Sequence, residues 1–491
     1  MRLSFRAAEL VALVALLGVQ LLTYNTADLD PFIWSGVYPL LLAAILSFSL
    51  IFTLRYQPSD LLGPLFWFRA TSVVYFGFGA SLLVFGSDAV QARMLAFYNA
   101  TTDEIARATI VVLASLTVTL AVANWVAGPY NRGAARNWQL KLPKSYTLLA
   151  LVFIAVGGSI RYFMQLPYQF GESEFTSGLF VLSNFLPLGL ILLFAIYWEE
   201  RGPYFWFAMA LFVLNLLIAV LTFSKYGVVL ALLTFFLPYV LVKPTVRRFS
   251  VCASAVFLAY LLSNPLVIYG REAIVAKTGS IARGSLADRF DVIARFMTEG
   301  HVTDAVMGTS VLSRLSYITA QAFAVAEYDR GRPSDSLENL RYVVVPRILY
   351  PEKPIISSVG EEMNVRVFRR RGSHVSPTIP AEAYFLNGWW GVAFWMSIYG
   401  AGLGAMQRIS RWLLTREQYV YMPVILGFMM IGMRTDGGLL VDFFGQIPIL
   451  AFLGLGLFLA QSAMLVLAKP RWAIQSGAGR YPRRFSRVQS L

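Results

Sequence analysis

Cysteine and histidine are almost missing from this chain of 491 residues. It has one cysteine, Cys252, and two histidines, His301 and His374. A single cysteine excludes a disulfide framework and a cysteine metal cluster. Two histidines exclude a histidine-rich metal centre, and the loop's acidic pairs Asp288/Asp291 and Glu361/Glu362, though conceivable ligands, read as ordinary helix surface, so the expectation is no essential metal and no cofactor. Charge is scarce as well, at 14% of residues, where soluble domains carry roughly a quarter. What fills the space is apolar: 57% of residues are hydrophobic and mean hydropathy is +0.62. Apolar runs long enough to cross roughly 30 Å of hydrocarbon recur from end to end. The fold class this implies is an all-α polytopic membrane protein.

Twelve spans are predicted, at 7–24, 32–54, 61–85, 106–127, 146–164, 178–197, 204–222, 226–242, 251–269, 386–407, 418–434 and 447–467. The first follows MRLSFR without a small-residue cleavage site, so it reads as a retained span rather than a signal peptide. With the N-terminus inside, the short cytoplasmic pieces hold 20 of the 41 basic residues. The opposite pieces ADLDP (27–31) and FGESEF (170–175) are acidic, with no Lys or Arg. The positive-inside rule therefore puts both termini in the cytoplasm. The formal charge of +14 is then a topology signal and an attraction to anionic lipid, not a nucleic-acid footprint. The chain divides into spans 1–9 (1–269), one large external loop (270–385), spans 10–12 (386–468) and a basic cytoplasmic tail (469–491). No internal repeat relates the halves, which argues against the common transporter architectures.

The long loop has amphipathic spacing. In DRFDVIARFMTEG, Phe290, Ile293, Phe296 and Met297 share one helical face, opposite Arg289, Asp291, Arg295 and Glu299. In VLSRLSYITAQAFAVAEY, Leu312, Leu315, Ile318, Ala322 and Val325 form one stripe. Both predict helices lying on the outer leaflet or the mouth of the bundle. A third short helix is expected in SLENLRYVVV, stopping near Pro346. In VPRILYPEKP, Pro346, Pro351 and Pro354 stiffen the backbone that carries Arg347 and Lys353; the plainer reading is a helix stop and a turn.

Charges inside or at the outer ends of spans are costly and so informative: Arg69, Arg161, Lys225, Arg434 and Asp436. Together with loop arginines they would ring one external cationic cavity, with Arg69 reaching it only if span three packs inside the bundle. Such a cavity at membrane depth suits a lipid-tailed diphosphate, because arginine holds phosphate through paired hydrogen bonds. The plain alternative for each is snorkelling or a neighbouring partner. Trp389 and Trp390 read as interface anchors, with sugar stacking as the alternative.

The order of motifs resembles the bacterial O-antigen and exopolysaccharide repeat-unit polymerases. Ser224, Lys225, Tyr226 and Gly227 stand where the family has a short SRG-type turn, with lysine in place of arginine. Arg314, Leu315 and Ser316 follow, then Pro346, Arg347, Pro351, Lys353 and Pro354. Glu382, Tyr384, Asn387, Gly388 and Gly391 come last. In letters the likeness covers about residues 220–395. Arg289 and Gly300 match an R-x10-G spacing described for related polymerases, a match also expected by chance.

The resemblance implies a C-type glycosyltransferase-like fold and a glycan donor on undecaprenyl diphosphate. A hydroxyl of the incoming lipid-linked unit would attack the anomeric carbon. Diphosphate contacts are then expected from Arg314, Arg347, Lys353 and Arg366, with Lys225, Arg271 and Arg434 in reserve. His374 and Glu382 are the candidate bases; their plainer readings are a surface histidine and a helix-terminus charge. Arg289, Tyr384 and Asn387 are candidate substrate contacts. Expected partners are lipid-linked oligosaccharides, membrane lipids and a chain-length regulator. An O-antigen ligase and a lipid-linked-sugar flippase remain open as alternatives.

Overall fold

A computed structural model describes residues 5–26, 30–129, 139–170, 182–279, 284–299, 315–338, 340–343, 345, 350, 352, 359–369 and 376–467. Every regular element among them is helical. In chain order they are α1 (Phe5–Thr26), α2 (Phe32–Tyr56), α3 (Pro64–Phe85), α4 (Asp88–Tyr98), α5 (Thr102–Ala127) and α6 (Lys144–Gln169). Then follow α7 (Leu182–Tyr197), α8 (Pro203–Leu221), α9 (Lys225–Val242), α10 (Val246–Thr278), α11 (Leu286–Glu299) and α12 (Ile318–Asp329). The last are α13 (Leu340–Val343), α14 (Val359–Phe368), α15 (Ile379–Thr415), α16 (Tyr419–Met433) and α17 (Gln446–Leu467).

Helix is found on all twelve predicted segments. Eight helices are long and apolar enough to cross a membrane, and three shorter apolar ones cover 182–197, 227–242 and 419–433. The tenth segment lies within α15, which is not straight. Asn387 (φ −144°) and Gly388 (φ 59°) leave helical geometry, and the second is a left-handed conformation that favours glycine. A side chain at Gly391 would run into the Ala383 carbonyl across this break. Asn387 accepts a hydrogen bond from Trp395 Nε1 at 3.0 Å, bracing the corner. Residues 379–386 are thereby set off as a short buried helix ahead of the longer stretch of α15.

The centre of the bundle is α5 packed along α15. Gly400 and Gly404 sit at the contact; a Cβ on either would lie 2.6 Å from the Thr119 or Ala123 carbonyl of α5. Small residues four apart let two backbones approach this closely in lipid. Helix α5 starts in a capping box, with Glu104 N donating to Thr101 Oγ1 and Thr101 N donating to Glu104 Oε2.

Span three does pack inside the bundle, yet Arg69 is not part of an external ring. Its Nε and Nη2 each donate to Glu9 of α1 at 2.7 Å. A second network, nearer the turns that join α2 to α3 and α5 to α6, ties Asp60 to Arg411, Gln407 and Arg6.

The segment 286–299 is helical, with Arg289 and Val292 buried and Phe290 and Met297 54% and 77% exposed. The guanidinium of Arg289 finds backbone carbonyls inside. Helix α12 buries Ile318, Ala322 and Val325 of the expected stripe. Residues 318–322 and 324–327 are all buried, between α5 and α15; its alanines make it slim enough to be enclosed. SLENLRYVVV holds only the single helical turn Leu340–Val343 among its described residues. Residues 346–349, 351, 353–358 and 370–375 lie outside the described residues, and with them Arg347, Lys353 and His374, as does Arg314.

Candidate functional site

Where the long segment 270–385 meets the bundle, three guanidiniums surround a cleft of about 450 Å³, lined by Phe323, Glu327, Arg330, Arg332 and Arg366. Helix α12 supplies Phe323 and Glu327, the turn after it supplies Arg330 and Arg332, and α14 supplies Arg366. Glu327 is buried at the base and pairs with Arg332, and with Arg330 and Arg366 at 3.5 Å each. Arg330 also reaches Glu104 of α5. Arg330 and Arg332 keep more than half of their side-chain surface exposed. Arg366 is held more firmly: it donates to the Arg332 and Pro333 carbonyls at 2.8 Å, pairs with Glu362 at 2.6 Å and lies over the Phe385 ring. Burial pushes the Glu362 carboxyl up, against the pull of Ser334 and Arg366. Two half-exposed guanidiniums beside one held more firmly make a surface that an anion can enter by competing with Glu327 and Glu104.

Behind this cleft the floor is the short helix 379–386. Ser334 N donates to the Phe385 carbonyl at 2.9 Å. Glu382 is fully buried and both its oxygens are taken: Ser336 Oγ donates to Oε1 at 2.8 Å, and Leu439 N to Oε2 at 2.6 Å. Among the described residues no cation contacts it, and burial pushes its carboxyl up to about 7, with Glu362 and Asp442 adding to the rise. In this conformation Glu382 fastens the 336 turn to the 438–439 turn and does not face the cleft. Just before it, Thr378 adopts φ 78°, a strained backbone for a β-branched residue. Thr378 is fixed there by Gln321 Nε2 on its Oγ1 and by Ser376 Oγ, which accepts from its N–H.

A second polar cluster lies on the same end of the bundle, around Asp436. Tyr317 donates to Asp436 Oδ2 at 3.1 Å, and Tyr75 of α3 also reaches that carboxylate. The two rings meet edge to face at 5.3 Å, and Tyr260 of α10 is within electrostatic range of both hydroxyls. Two π-helical stretches, Val73–Gly79 and Leu439–Phe444, frame the cluster; such widened turns recur at functional sites. Burial raises the Asp436 carboxyl too, with Asp442 adding to it.

The predicted residues that are described make different contacts. Arg366 lies in the cleft. Arg434 turns to Asp442 at 2.8 Å. Arg271 donates to the Phe223 carbonyl at 2.9 Å. Arg289 is a bolt: its nitrogens donate to the Gly284, Leu221 and Gln169 carbonyls at 3.0–3.2 Å, beneath the Phe170 and Phe223 rings. Tyr384 donates to Asp329 at 2.8 Å, and Asn387 braces the corner of α15. Lys225 opens α9, and its side chain lies outside the described residues. Arg161 has a buried Nε with no hydrogen-bond partner among the described residues.

Sequence reasoning passed over Glu327, Arg330 and Arg332. The signal that could have found them is the run EYDRGRP, which sets Glu327 three and five residues ahead of Arg330 and Arg332. Among the described residues no group of three His, Cys, Asp or Glu side chains is placed to hold a metal ion. Neither family models, nor curated proteins, nor solved structures gave a match to this chain.

Proposed function

We propose that this chain is a membrane glycosyltransferase that joins oligosaccharide repeat units carried on undecaprenyl diphosphate, acting on the outer face of the membrane. The observation that carries this reading is the cleft of about 450 Å³ with three guanidiniums at its wall, set against a bundle of apolar helices. A lipid-linked donor needs both: apolar helices beside its tail and cations beside its diphosphate.

In the reaction the oxygen of an acceptor hydroxyl bonds to the anomeric carbon of the donor glycan. The bond from that carbon to the diphosphate breaks, and the lipid diphosphate leaves with the electron pair. The acceptor proton passes to a base. Charge grows on the leaving oxygen, where Arg330 and Arg332 would stabilise it, with Arg366 as the fixed member of the set. An oriented donor of this kind is worth on the order of 10²–10³ in rate. Arg314, Arg347 and Lys353 remain assigned to the same diphosphate on the motif resemblance.

The test supplies protein in lipid nanodiscs with lipid-linked repeat units and resolves the glycans on a gel. A ladder of lengthened glycan, lost in the Arg330→Gln/Arg332→Gln variant, is the expected result. An unchanged ladder in that variant removes the cleft from the mechanism. Translocation of intact lipid-linked units with no new glycosidic bond refutes the enzyme reading.

A further inference from the structure

The arginine cleft carries an anion of its own. Glu327 lies in the enclosed run of α12, beside buried Ala324, Val325 and Ala326, and only 4% of its side chain is exposed. A carboxylate that deep needs cations to offset its lost hydration. Its two oxygens draw them from different places. Oε1 faces Arg332 and, at 3.5 Å, Arg330, whereas Oε2 faces Arg366 at 3.5 Å.

These partners are not held alike. Arg366 is 26% exposed and tied to the Arg332 and Pro333 carbonyls, to Glu362 and to the face of Phe385. Arg330 and Arg332 are 52% and 59% exposed and project from the turn after α12 on long stems. Arg330 divides its contacts between Glu327 and Glu104 of α5. Among the described residues, three guanidiniums of the cleft thus meet three carboxylates, and their charges balance.

An incoming anion therefore binds by exchange. It must draw Arg330 and Arg332 away from Oε1, against a carboxylate that is tethered beside them and so competes at a high effective concentration. The exchange does not strand the buried charge, because Oε2 keeps Arg366. One oxygen on releasable cations and the other on a fixed cation is the geometry that a displaceable counter-ion needs.

We propose that Glu327 is an internal competitor for Arg330 and Arg332, which it yields to a diphosphate group and takes back as that group leaves. The proposal rests on the reading of the cleft as the diphosphate site. It makes the cleft a weaker trap than its three arginines suggest, which favours release of the lipid diphosphate after each transfer.

Calorimetric titration of inorganic pyrophosphate into the full chain, in zwitterionic nanodiscs without divalent ions, tests this apart from turnover. Glu327→Gln keeps the size and one oxygen for Arg332 but removes a negative charge beside the ligand, so pyrophosphate should bind about tenfold tighter or more. Glu327→Asp keeps the charge and should stay closer to wild type than to the glutamine variant. Glu104→Gln guards against misfolding, since glutamine preserves the capping box; freeing Arg330 from that half-exposed pair should tighten binding about threefold. Arg330→Gln/Arg332→Gln should abolish binding. Glu327→Gln that melts like wild type and binds no tighter makes Glu327 a positioning counter-ion and overturns the proposal. So does Glu327→Asp tightening as much as Glu327→Gln, Glu104→Gln tightening nothing, or pyrophosphate binding to none of the proteins. Tighter binding in Glu327→Gln with no glycan ladder from wild type keeps the competitor and refutes the polymerase. A ladder lost in Arg330→Gln/Arg332→Gln, with pyrophosphate affinity indifferent to Glu327→Gln, does the reverse.

Discussion

Removing Glu9 should cost far more than replacing Glu9 and Arg69 together. The two side chains are 1% and 7% exposed and share two contacts of 2.7 Å. Their desolvation is offset by each other, so deleting one leaves a buried charge, at about 3–5 kcal/mol. Among the described residues Arg69 would retain the Leu65 carbonyl at 3.3 Å and Asn124 Oδ1 at 3.5 Å. The two deletions differ, because an orphaned carboxylate can take up a proton and a guanidinium cannot lose one. Glu9→Ala is therefore expected near the top of that range and Arg69→Met near the bottom. A Glu9→Met/Arg69→Met variant, with apolar groups of similar volume, should fall within about 1 kcal/mol of wild type or above it. Reversible unfolding in mixed micelles, read by tryptophan fluorescence, gives all three values. A cost under about 1 kcal/mol for Glu9→Ala, or a double variant as unstable as the single, would refute the assignment of this pair as mutually dependent.

Two further outcomes follow from buried polar groups. The carboxyl of Glu382 is raised from 4.5 to about 7, so its contribution to stability is complete below about pH 4.5 and is lost as pH rises through 7. The loss amounts to about 3 kcal/mol; Glu382→Gln should flatten that part of the pH–stability curve, and a curve unchanged by the substitution would contradict the burial argument. Arg289→Ala removes a cation that gathers carbonyls from three segments and should cost at least about 2 kcal/mol, loosening α11 in hydrogen exchange. Arg289→Lys, a point charge without the fork, should recover only part of it.

Much of the helical framework was legible because hydrophobic length is a local property. The runs at 7–24, 106–127 and 204–222 all match helices to within four residues. Helix positions in the long segment were legible in the same way, since 286–299 and 318–329 carry helical spacing. The burial of Arg289 was not, because it rests on carbonyls of Gln169 and Leu221 that converge there. The depth of α12 was not either, since alanine spacing does not announce how closely neighbours approach. The arginine cleft was half visible: Arg366 was singled out, but Arg330 and Arg332 owe their place to Glu327, whose burial no single-sequence pattern reveals.

Composition and spacing alone determined that this chain makes apolar helices in this order, because the cost of placing backbone amides in hydrocarbon leaves few other choices. The break at Gly388, the partner of Arg69, the fastening of Glu382 and the meeting of Tyr75, Tyr260, Tyr317 and Asp436 were decided only by the tertiary structure. The last three depend on groups dozens to hundreds of residues apart, and a charge or hydroxyl acquires its role from what lies across the contact rather than from what flanks it in the chain.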